Sequence, residues 1–307
     1  MKHVFIDGSA GTTGLRIHER LADRSDLSLI ILSDELRKDE NARREALNAA
    51  DIAFLCLPDA AAKEAVALTS NPRTVIIYTS TAHRTAPGWT YGFPEIGGRR
   101  RDIAAATRIA NPGCHASGFV SLVAPLVENG LLDASAALSC FSLTGYTGGG
   151  KKMIAEYEAA GRDPLLDAPR QYGLTQSHKH LPEMAAICGL ANAPLFCPIV
   201  GDFPCGMEVT VPLFGHQIKG SMEDVKAVYR TYYATGLVKY VEDASEGGFL
   251  SASAMAGRDD LQVTVTGNAD RMLLVARFDN LGKGASGAAI QNMNIVLGTD
   301  EATGLCV

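Results

Sequence analysis

The sequence has no excess of positive charge, because its 28 lysine and arginine residues are outnumbered by 34 aspartate and glutamate residues. It therefore lacks the basic surface that nucleic acid or an anionic membrane would select, and a small molecule is the expected partner. No apolar run approaches the roughly 18 residues needed to span a bilayer. No signal-peptide pattern follows Met1, so a cytoplasmic location is expected.

Closely spaced cysteine pairs are also missing. The seven cysteines are Cys56, Cys114, Cys140, Cys188, Cys197, Cys205 and Cys306. Without a Cys-x-x-Cys pair, neither a zinc site nor a redox dithiol is indicated, so we expect free thiols and no bound metal. Most of them, such as Cys56 in an apolar segment, are best explained as small buried hydrophobes.

What the sequence does have is length and an ordinary globular composition. Its 307 residues exceed what one hydrophobic core usually supports, which predicts two domains. Hydrophobic residues make up 47% and charged residues 20%, with no low-complexity tract, so the whole chain is expected to fold.

A glycine-rich segment near the amino terminus predicts a nucleotide-binding loop. Residues 3–7 have the composition of a short strand, and a helical pattern over residues 15–22 follows the glycines. In this setting the backbone can approach a pyrophosphate, and the helix amino terminus supplies N–H donors. The spacing is G-x-x-G-x-x-G, not G-x-G-x-x-G, so a glycine turn without a ligand is the alternative. The candidate cofactor contacts are Gly8, Ser9, Gly11, Thr12, Thr13 and Gly14.

Further apolar segments predict the fold class. Residues 27–32, 52–57 and 74–78 have strand character, with helix-compatible segments between them. This alternation indicates an α/β protein with a doubly wound, Rossmann-like parallel sheet. Strand-like segments between residues 208 and 278 predict a mostly antiparallel sheet in an α+β second domain.

The end of the second predicted strand is where an adenosine ribose would lie. Asp34 at this point favours NAD, whereas Ser33 with Arg37 and Lys38 favours the 2′-phosphate of NADP. Both signals are present, and a solvated charged turn explains the segment equally well.

Cys114 lies in the segment Asn111-Pro112-Gly113-Cys114-His115, directly before a predicted helix over residues 119–127. A helix amino terminus favours the thiolate, which is the nucleophilic form, and its N–H groups can hold an oxyanion. From spacing alone, a helix-start cysteine without a chemical role is an equal alternative.

Three histidines and an arginine complete the candidates. His178 and His180 could accept a proton or form a surface pair, and with only Glu183 nearby they make an incomplete metal site. His115 is a further candidate base. Arg84 follows the fourth predicted strand at the ligand edge of the sheet, where it could contact phosphate or lie on the surface.

These blocks together resemble the N-acetyl-gamma-glutamyl-phosphate reductases, which share a superfamily with aspartate-semialdehyde dehydrogenase. The resemblance extends from residue 4 to about residue 298, and the chain is similar in length to the compact second type of this family. Besides the Cys114 segment, the matching motifs are Tyr91-Gly92-Phe93-Pro94-Glu95, Thr144-Gly145-Tyr146-Thr147-Gly148-Gly149-Gly150-Lys151, His178-Lys179-His180-Leu181-Pro182-Glu183, Gly282-Lys283-Gly284-Ala285-Ser286-Gly287 and Ala289-Ile290-Gln291-Asn292-Met293-Asn294.

The resemblance implies NADPH-dependent reduction of an acyl phosphate to an aldehyde, through a cysteine thioester, in arginine biosynthesis. It implies Cys114 as the nucleophile, His180 as the base and Asn292 as a cofactor contact. It also implies that Asn111 and Arg84 contact the substrate.

The same resemblance implies that cofactor binding and catalysis belong to two different domains. An NADP-binding domain is expected over residues 1–112, completed by residues 285–307, and a catalytic and oligomerisation domain over residues 113–284. A homo-oligomer, either a dimer or a tetramer, is expected. One segment departs from the family: residues 199–207 replace its usual Pro-x-x-Arg-Gly stretch, so no arginine contact is predicted there.

Overall fold

A computed structural model describes all 307 residues of the protein, as thirteen strands and nine α-helices. The strands are β1 (Lys2–Asp7), β2 (Leu27–Ile30), β3 (Ile52–Leu55), β4 (Val75–Tyr78), β5 (Thr90–Tyr91), β6 (Arg108–Ala110), β7 (Ser139–Gly145), β8 (Arg170–Gln171), β9 (Leu195–Gly201), β10 (Met207–Phe214), β11 (Val238–Tyr240), β12 (Leu261–Gly267) and β13 (Arg271–Phe278). The helices are α1 (Thr12–Leu21), α2 (Glu40–Ala49), α3 (Asp59–Leu68), α4 (Arg99–Ala105), α5 (Cys114–Glu128), α6 (Gly150–Glu158), α7 (Leu181–Cys188), α8 (Met222–Tyr232) and α9 (Gly287–Leu297). None of these helices is both long and apolar enough to cross a membrane.

The chain divides into two compact units. Unit 1 consists of Met1–Pro94, Gly98–Gly113 and Ala285–Leu305. Unit 2 consists of Glu95–Gly97, Cys114–Gly284 and Cys306–Val307.

Unit 1 is built on a six-stranded sheet in the order β2-β1-β3-β4-β6-β5, in which every neighbouring pair is parallel. Because side chains alternate along a strand, Val4 packs on one face with Ile17 of α1 and Met293 of α9. Phe5 packs on the other face with Leu47 of α2. Helices therefore cover both faces, and the predicted doubly wound α/β architecture is confirmed.

Unit 2 is built on a seven-stranded sheet in the order β11-β12-β13-β10-β7-β9-β8. Four of its six neighbouring pairs are antiparallel, which confirms the predicted mostly antiparallel sheet. The interior strands β7 and β9, which the sequence patterns did not identify, pair in parallel.

Helix α5 lies in the interior of unit 2. Its sequence is apolar on nearly every side, and all but three of its fifteen residues are buried. A side chain at Gly118 would place its Cβ 2.4 Å from Cγ2 of Val209 on β10, so only glycine lets the helix lie this close to the sheet. The predicted helix after Cys114 is confirmed, and it begins at Cys114 itself.

Candidate functional site

The glycine loop of unit 1 is shaped by backbone contacts. Gly8 has a φ of 90°, and a Cβ there would lie 2.5 Å from the carbonyl oxygen of Cys56. A Cβ on Gly14 would lie 2.3 Å from the carbonyl oxygen of Gly8, so the third glycine allows α1 to pack against the loop. Gly11 is the N-cap of α1 and provides no side chain to bond the first-turn N–H groups. These donors fit a phosphate group.

A cavity of about 430 Å³ adjoins this loop within unit 1. Its lining residues are Phe5, Ile6, Asp7, Gly8, Ser9, Ala10, Leu15, His18, Leu29, Ile30, Ile31, Leu32, Asp34, Arg37, Lys38 and Leu57. Apolar side chains from β2 and α1 can contact a flat ring, and charged groups stand at the end of β2. The size and lining fit the adenosine part of a dinucleotide.

The predicted cofactor contacts divide into two groups. Gly8, Ser9 and Arg37 line the cavity, as do Asp34 and Lys38. Gly11, Thr12, Thr13 and Gly14 lie in the loop and the first turn of α1, outside that lining.

Ser33 also lies outside the cavity lining, on the turn that follows β2. Its carbonyl oxygen accepts from the backbone N–H groups of Leu36 and Arg37 and so fixes the turn. Arg37 pairs with Asp34 at 3.2 Å, and both side chains are well exposed. Arg37, which favours NADP, and Asp34, which favours NAD, are therefore partners in one surface ion pair.

An ion pair that the sequence did not indicate lies in the wall of the same cavity. Asp7 ends β1 and accepts from Nη2 of Arg43 on α2 at 2.9 Å, with both side chains buried. Burial raises the pKa of Asp7, although the Arg43 guanidinium opposes this shift. The positive charge of Arg43 thus compensates the negative charge of a carboxylate that is buried in the cavity wall.

Three predicted contacts form a buried network in unit 1. Nδ2 of Asn292 donates to the carbonyl oxygen of Gly92 at 2.9 Å and to Oδ1 of Asn111 at 3.2 Å. Nδ2 of Asn111 donates to the carbonyl oxygen of Ala285 at 2.9 Å. The remaining acceptor, Oδ1 of Asn292, is buried without a hydrogen-bond partner, so a carboxamide donor would satisfy it.

Arg84 belongs to the same network and is buried. Its Nε donates to the carbonyl oxygen of Asn111 at 3.0 Å, and its Nη2 donates to that of Thr79 at 3.3 Å. The guanidinium therefore ties two strand ends together. The alternative of a surface arginine is wrong, whereas a phosphate contact by Arg84 stays a prediction.

Cys114 is the first residue of α5 in unit 2 and is half-buried. The first turn of α5 contains no acidic residue, so the positive end of the helix dipole is not offset there. A Cβ on Gly284 would lie 3.0 Å from Cβ of Cys114, so the glycine leaves room beside the cysteine. The position favours a thiolate and provides N–H groups beside it.

His115 is held between two hydroxyl groups. Its Nδ1 lies 2.6 Å from Oγ of Ser142, and its Nε2 lies 2.6 Å from the phenolic oxygen of Tyr172. Burial, together with the nearby His178 and Lys179, lowers the pKa of His115 to about 3. A neutral imidazole with both nitrogens occupied is poorly suited to act as the base.

His178 and His180 converge on the His115 ring. The ring centroids of His115 and His180 are 5.5 Å apart, and those of His178 and His180 are 4.8 Å apart. His180 is buried and is the N-cap residue of α7. Both rings therefore lie close to His115 of the Cys114 segment, and no group of three His, Cys, Asp or Glu side chains in the structure could hold a metal ion.

We expect Tyr172→Phe to lower the free energy of unfolding by about 1–3 kcal/mol, because Nε2 of His115 would be left buried without its hydroxyl partner. Urea denaturation followed by circular dichroism measures this difference. Tyr240→Phe is the matched control, because it removes a hydroxyl that bonds only the exposed Glu242, at 3.2 Å. Equal unfolding free energies for the two variants would contradict the expectation.

Two other quoted motifs are joined by contacts inside unit 2. Lys283 is fully buried, and its Nζ donates to both carboxylate oxygens of Glu95 at 2.9 Å.

The segment that departs from the family pattern, residues 199–207, is held by Thr147, whose hydroxyl donates to the carbonyl oxygen of Pro204 at 2.6 Å. Cys205 Sγ lies 3.6 Å from the same hydroxyl oxygen.

Comparison with known proteins identifies one domain family and several relatives that match nearly the whole chain. Residues 114–280 match the sequence model of the semialdehyde dehydrogenase dimerisation domain. N-acetyl-gamma-glutamyl-phosphate reductase 2 of Nostoc sp. is 44% identical, with 98% of each chain covered. N-acetyl-gamma-glutamyl-phosphate reductase of Brucella ovis is 47% identical, with 96% of this chain and 98% of that protein covered.

Among solved structures, aspartate semialdehyde dehydrogenase II from Vibrio cholerae has a TM-score of 0.73 at 15% identity, with 97% of this chain and 98% of that chain covered. At this identity the match supports the fold alone.

Proposed function

This chain belongs to the N-acetyl-gamma-glutamyl-phosphate reductase family, and from that premise we propose that it reduces N-acetyl-gamma-glutamyl phosphate to N-acetylglutamate semialdehyde, with release of phosphate, in arginine biosynthesis. The observation that carries the proposal is the position of Cys114, half-buried at the first residue of α5 and directly before His115, whose ring centroid lies 5.5 Å from that of His180. We assign the thiol chemistry to unit 2 and cofactor binding to unit 1.

The first half of the proposed reaction is a transfer of the acyl group to sulfur. Cys114 Sγ attacks the acyl carbonyl carbon, and the first-turn N–H groups of α5 face the oxyanion that develops. Collapse of this tetrahedral species breaks the bond to the phosphate oxygen and leaves a thioester on Cys114. Inorganic phosphate is the first product.

The second half reduces the thioester. The nicotinamide cofactor supplies a hydride to the carbonyl carbon when it is bound. His180 then protonates the departing sulfur as the tetrahedral oxyanion collapses, and so returns the proton that it removed from the thiol at the start. Cleavage of the carbon–sulfur bond releases the semialdehyde and regenerates Cys114.

NADP is the cofactor in this proposal, and Arg37 and Lys38 at the cavity wall support it. Cationic side chains at the end of β2 can bind a 2′-phosphate by charge-assisted hydrogen bonds. The carboxylate of Asp34 is already paired with Arg37, which reduces its competition for a ribose hydroxyl.

We expect Arg37→Ala to weaken NADPH binding by about fivefold to tenfold, because a charge-assisted contact at an exposed site is worth roughly 1 to 1.4 kcal/mol. NADH binding should change much less, since NADH has no 2′-phosphate. Isothermal titration calorimetry with both cofactors measures the two affinities. Arg44→Ala, at an exposed arginine outside the cavity lining, is the matched control. An equal loss for NADPH and NADH would contradict a 2′-phosphate contact.

A homo-oligomer in the cytoplasm completes the proposal. The seven-stranded sheet of unit 2 exposes large apolar side chains, including Phe141, Leu195 and Leu273, as expected of a face covered by a second copy. The matched dimerisation domain supports the same assignment. The seven free cysteines fit a reducing compartment.

The reaction is tested in the reverse direction. Purified protein is incubated with N-acetylglutamate semialdehyde, phosphate and NADP⁺, and NADPH formation is followed by absorbance. Turnover that requires phosphate is the expected result. Turnover with aspartate semialdehyde or an amino-adipyl analogue, but not with the N-acetylglutamate compound, would move the protein to a sister activity.

A further inference from the structure

The segment that carries His178 and His180 follows the edge strand β8, whose backbone pairing with β9 ends early. Strand β8 pairs with β9 only through Arg170 and Gln171. The backbone N–H of Tyr172 still donates to the carbonyl oxygen of Pro198 at 3.0 Å, and Gly173 then turns away with a φ of 64°. From this point the chain no longer offers β9 a backbone partner.

A glutamine side chain takes over the missing pairing. Nε2 of Gln176 donates to the carbonyl oxygen of Phe196 at 2.7 Å, and the backbone N–H of Phe196 donates to Oε1 of Gln176 at 2.9 Å. The side-chain amide therefore imitates a peptide group of the next strand and occupies both backbone groups of Phe196. We call this pair of bonds the Gln176 clamp.

Gln176 also has a strained backbone. With a φ of 55°, it is the only residue other than glycine with positive φ in the chain. Residues with a Cβ rarely adopt this left-handed region, and such strain persists only where surrounding contacts impose it. The Gln176 clamp supplies those contacts.

The residue that is clamped packs directly on the imidazole cluster. The Phe196 ring centroid lies 5.2 Å from that of His178 and 5.3 Å from that of His115. The backbone N–H of His180 in turn lies 3.3 Å from Nδ1 of His178. The clamp, the Phe196 ring and the histidines are therefore consecutive contacts around the start of α5.

We propose that Gln176 is a positioning residue for the reaction: its clamp on Phe196 holds the loop over residues 173–180 so that His180 stands beside the Cys114 segment. Gln176 is exposed and does not touch the reacting atoms in this assignment, and its effect passes through Phe196 and His178. The inference rests on the proposed function, because it assigns a cause to the placement of the proposed base.

The test compares three substitutions at one position. Gln176→Ala removes the clamp and keeps the backbone strain, Gln176→Gly removes both, and Gln176→Asn tolerates positive φ but is one methylene too short to reach both groups of Phe196. We expect kcat to fall by about fivefold to thirtyfold in all three variants, which corresponds to a barrier raised by roughly 1 to 2 kcal/mol. KM for the cofactor should stay unchanged, since the cofactor cavity lies in unit 1. Gln171→Ala is the matched control on the same edge strand and should retain wild-type kcat.

A double-mutant cycle with His180→Asn separates positioning from general destabilisation. If Gln176 acts through His180, then His180→Asn should cost about tenfold less kcat in the Gln176→Ala background than in the wild type. Independent, additive losses would overturn the proposal. A Gln176→Gly variant with full activity would also overturn it, because the enzyme would then work without the clamp once the backbone strain is removed.

Hydrogen exchange provides a readout that does not depend on turnover. The backbone N–H of Phe196 loses its acceptor in Gln176→Ala, so its exchange should accelerate, whereas α5 amides should remain protected. Unchanged exchange at Phe196 would overturn the clamp itself. If the wild-type protein fails to turn over N-acetylglutamate semialdehyde, the proposed function falls and the clamp is still tested. If the wild type is active and Gln176→Ala matches it, only the positioning role falls.

Discussion

Cys114→Ser is expected to reduce turnover at least about 10³-fold, while leaving cofactor binding unchanged. Loss of a covalent nucleophile removes the whole acyl-transfer route, and a serine hydroxyl at neutral pH is a far poorer nucleophile than a thiolate. The hydroxyl is smaller than the thiol and fits beside Gly284, so the fold should be kept. The measurement is the phosphate-dependent reverse reaction, combined with calorimetric titration of NADPH.

Cys306→Ser is the matched control, because Cys306 is an exposed cysteine near the end of the chain. It should keep full activity. Alkylation by iodoacetamide near pH 6.5, analysed by mass spectrometry, adds a second test. Burial raises the pKa of Cys56 to about 12 and also raises the pKa of Cys140, so both stay as unreactive thiols. Uniform labelling of the seven cysteines, or an active Cys114→Ser variant, would contradict the assignment.

The architecture of unit 1 could be predicted because its central strands β3 and β4 are short apolar runs in which every residue is buried. The second strand shows the limit of this approach. Residues 27–32 have strand character throughout, but β2 ends at Ile30, and Ile31 is 69% exposed beside the cavity. Composition cannot distinguish an apolar residue that fills a core from one that lines a ligand cavity.

The strands of unit 2 were harder to predict. β7 contains polar and small residues, such as Ser142 and Gly145, among its apolar ones. Ser142 is nevertheless buried, because its hydroxyl meets the His115 ring. A strand that carries part of a polar network does not show the alternation from which strands are recognised.

The local setting of Cys114 could be predicted from the sequence, since a helix start is a local feature. Its surroundings could not, because they come from distant segments. Tyr172 lies 57 residues after His115, and Lys283 lies 188 residues after Glu95. Histidine–hydroxyl contacts and buried ion pairs leave no periodic signal in a single sequence, so they emerge only when the chain is folded.

His115 illustrates how burial decides between candidate groups. By position it is the histidine nearest to Cys114, and the sequence left it open as a base. Its two nitrogens are occupied by Ser142 and Tyr172, and its lowered pKa keeps it neutral at physiological pH. His180 therefore remains the better candidate for the base, and His178 is the alternative.

His180→Asn is expected to lower kcat by about 10²–10⁴-fold, the usual contribution of a positioned acid–base group. Asparagine can keep a hydrogen bond but cannot exchange a proton near neutral pH, so the variant separates proton transfer from packing. The limb of the pH–rate profile that reports the base should disappear in the variant. Steady-state kinetics of the reverse reaction between pH 5.5 and 9 measure both effects.

Two further histidine variants make this expectation discriminating. His216→Asn changes an exposed histidine that stacks on Phe214 at the surface of unit 2, and it should retain wild-type kcat. His178→Asn disturbs the ring that packs on His180 and should lower kcat less than His180→Asn does. If His180→Asn keeps full activity and His178→Asn loses it, His178 is the base. That outcome would follow from the same cluster, because the two rings lie only 4.8 Å apart and their centroids lie 5.8 and 5.5 Å from that of His115.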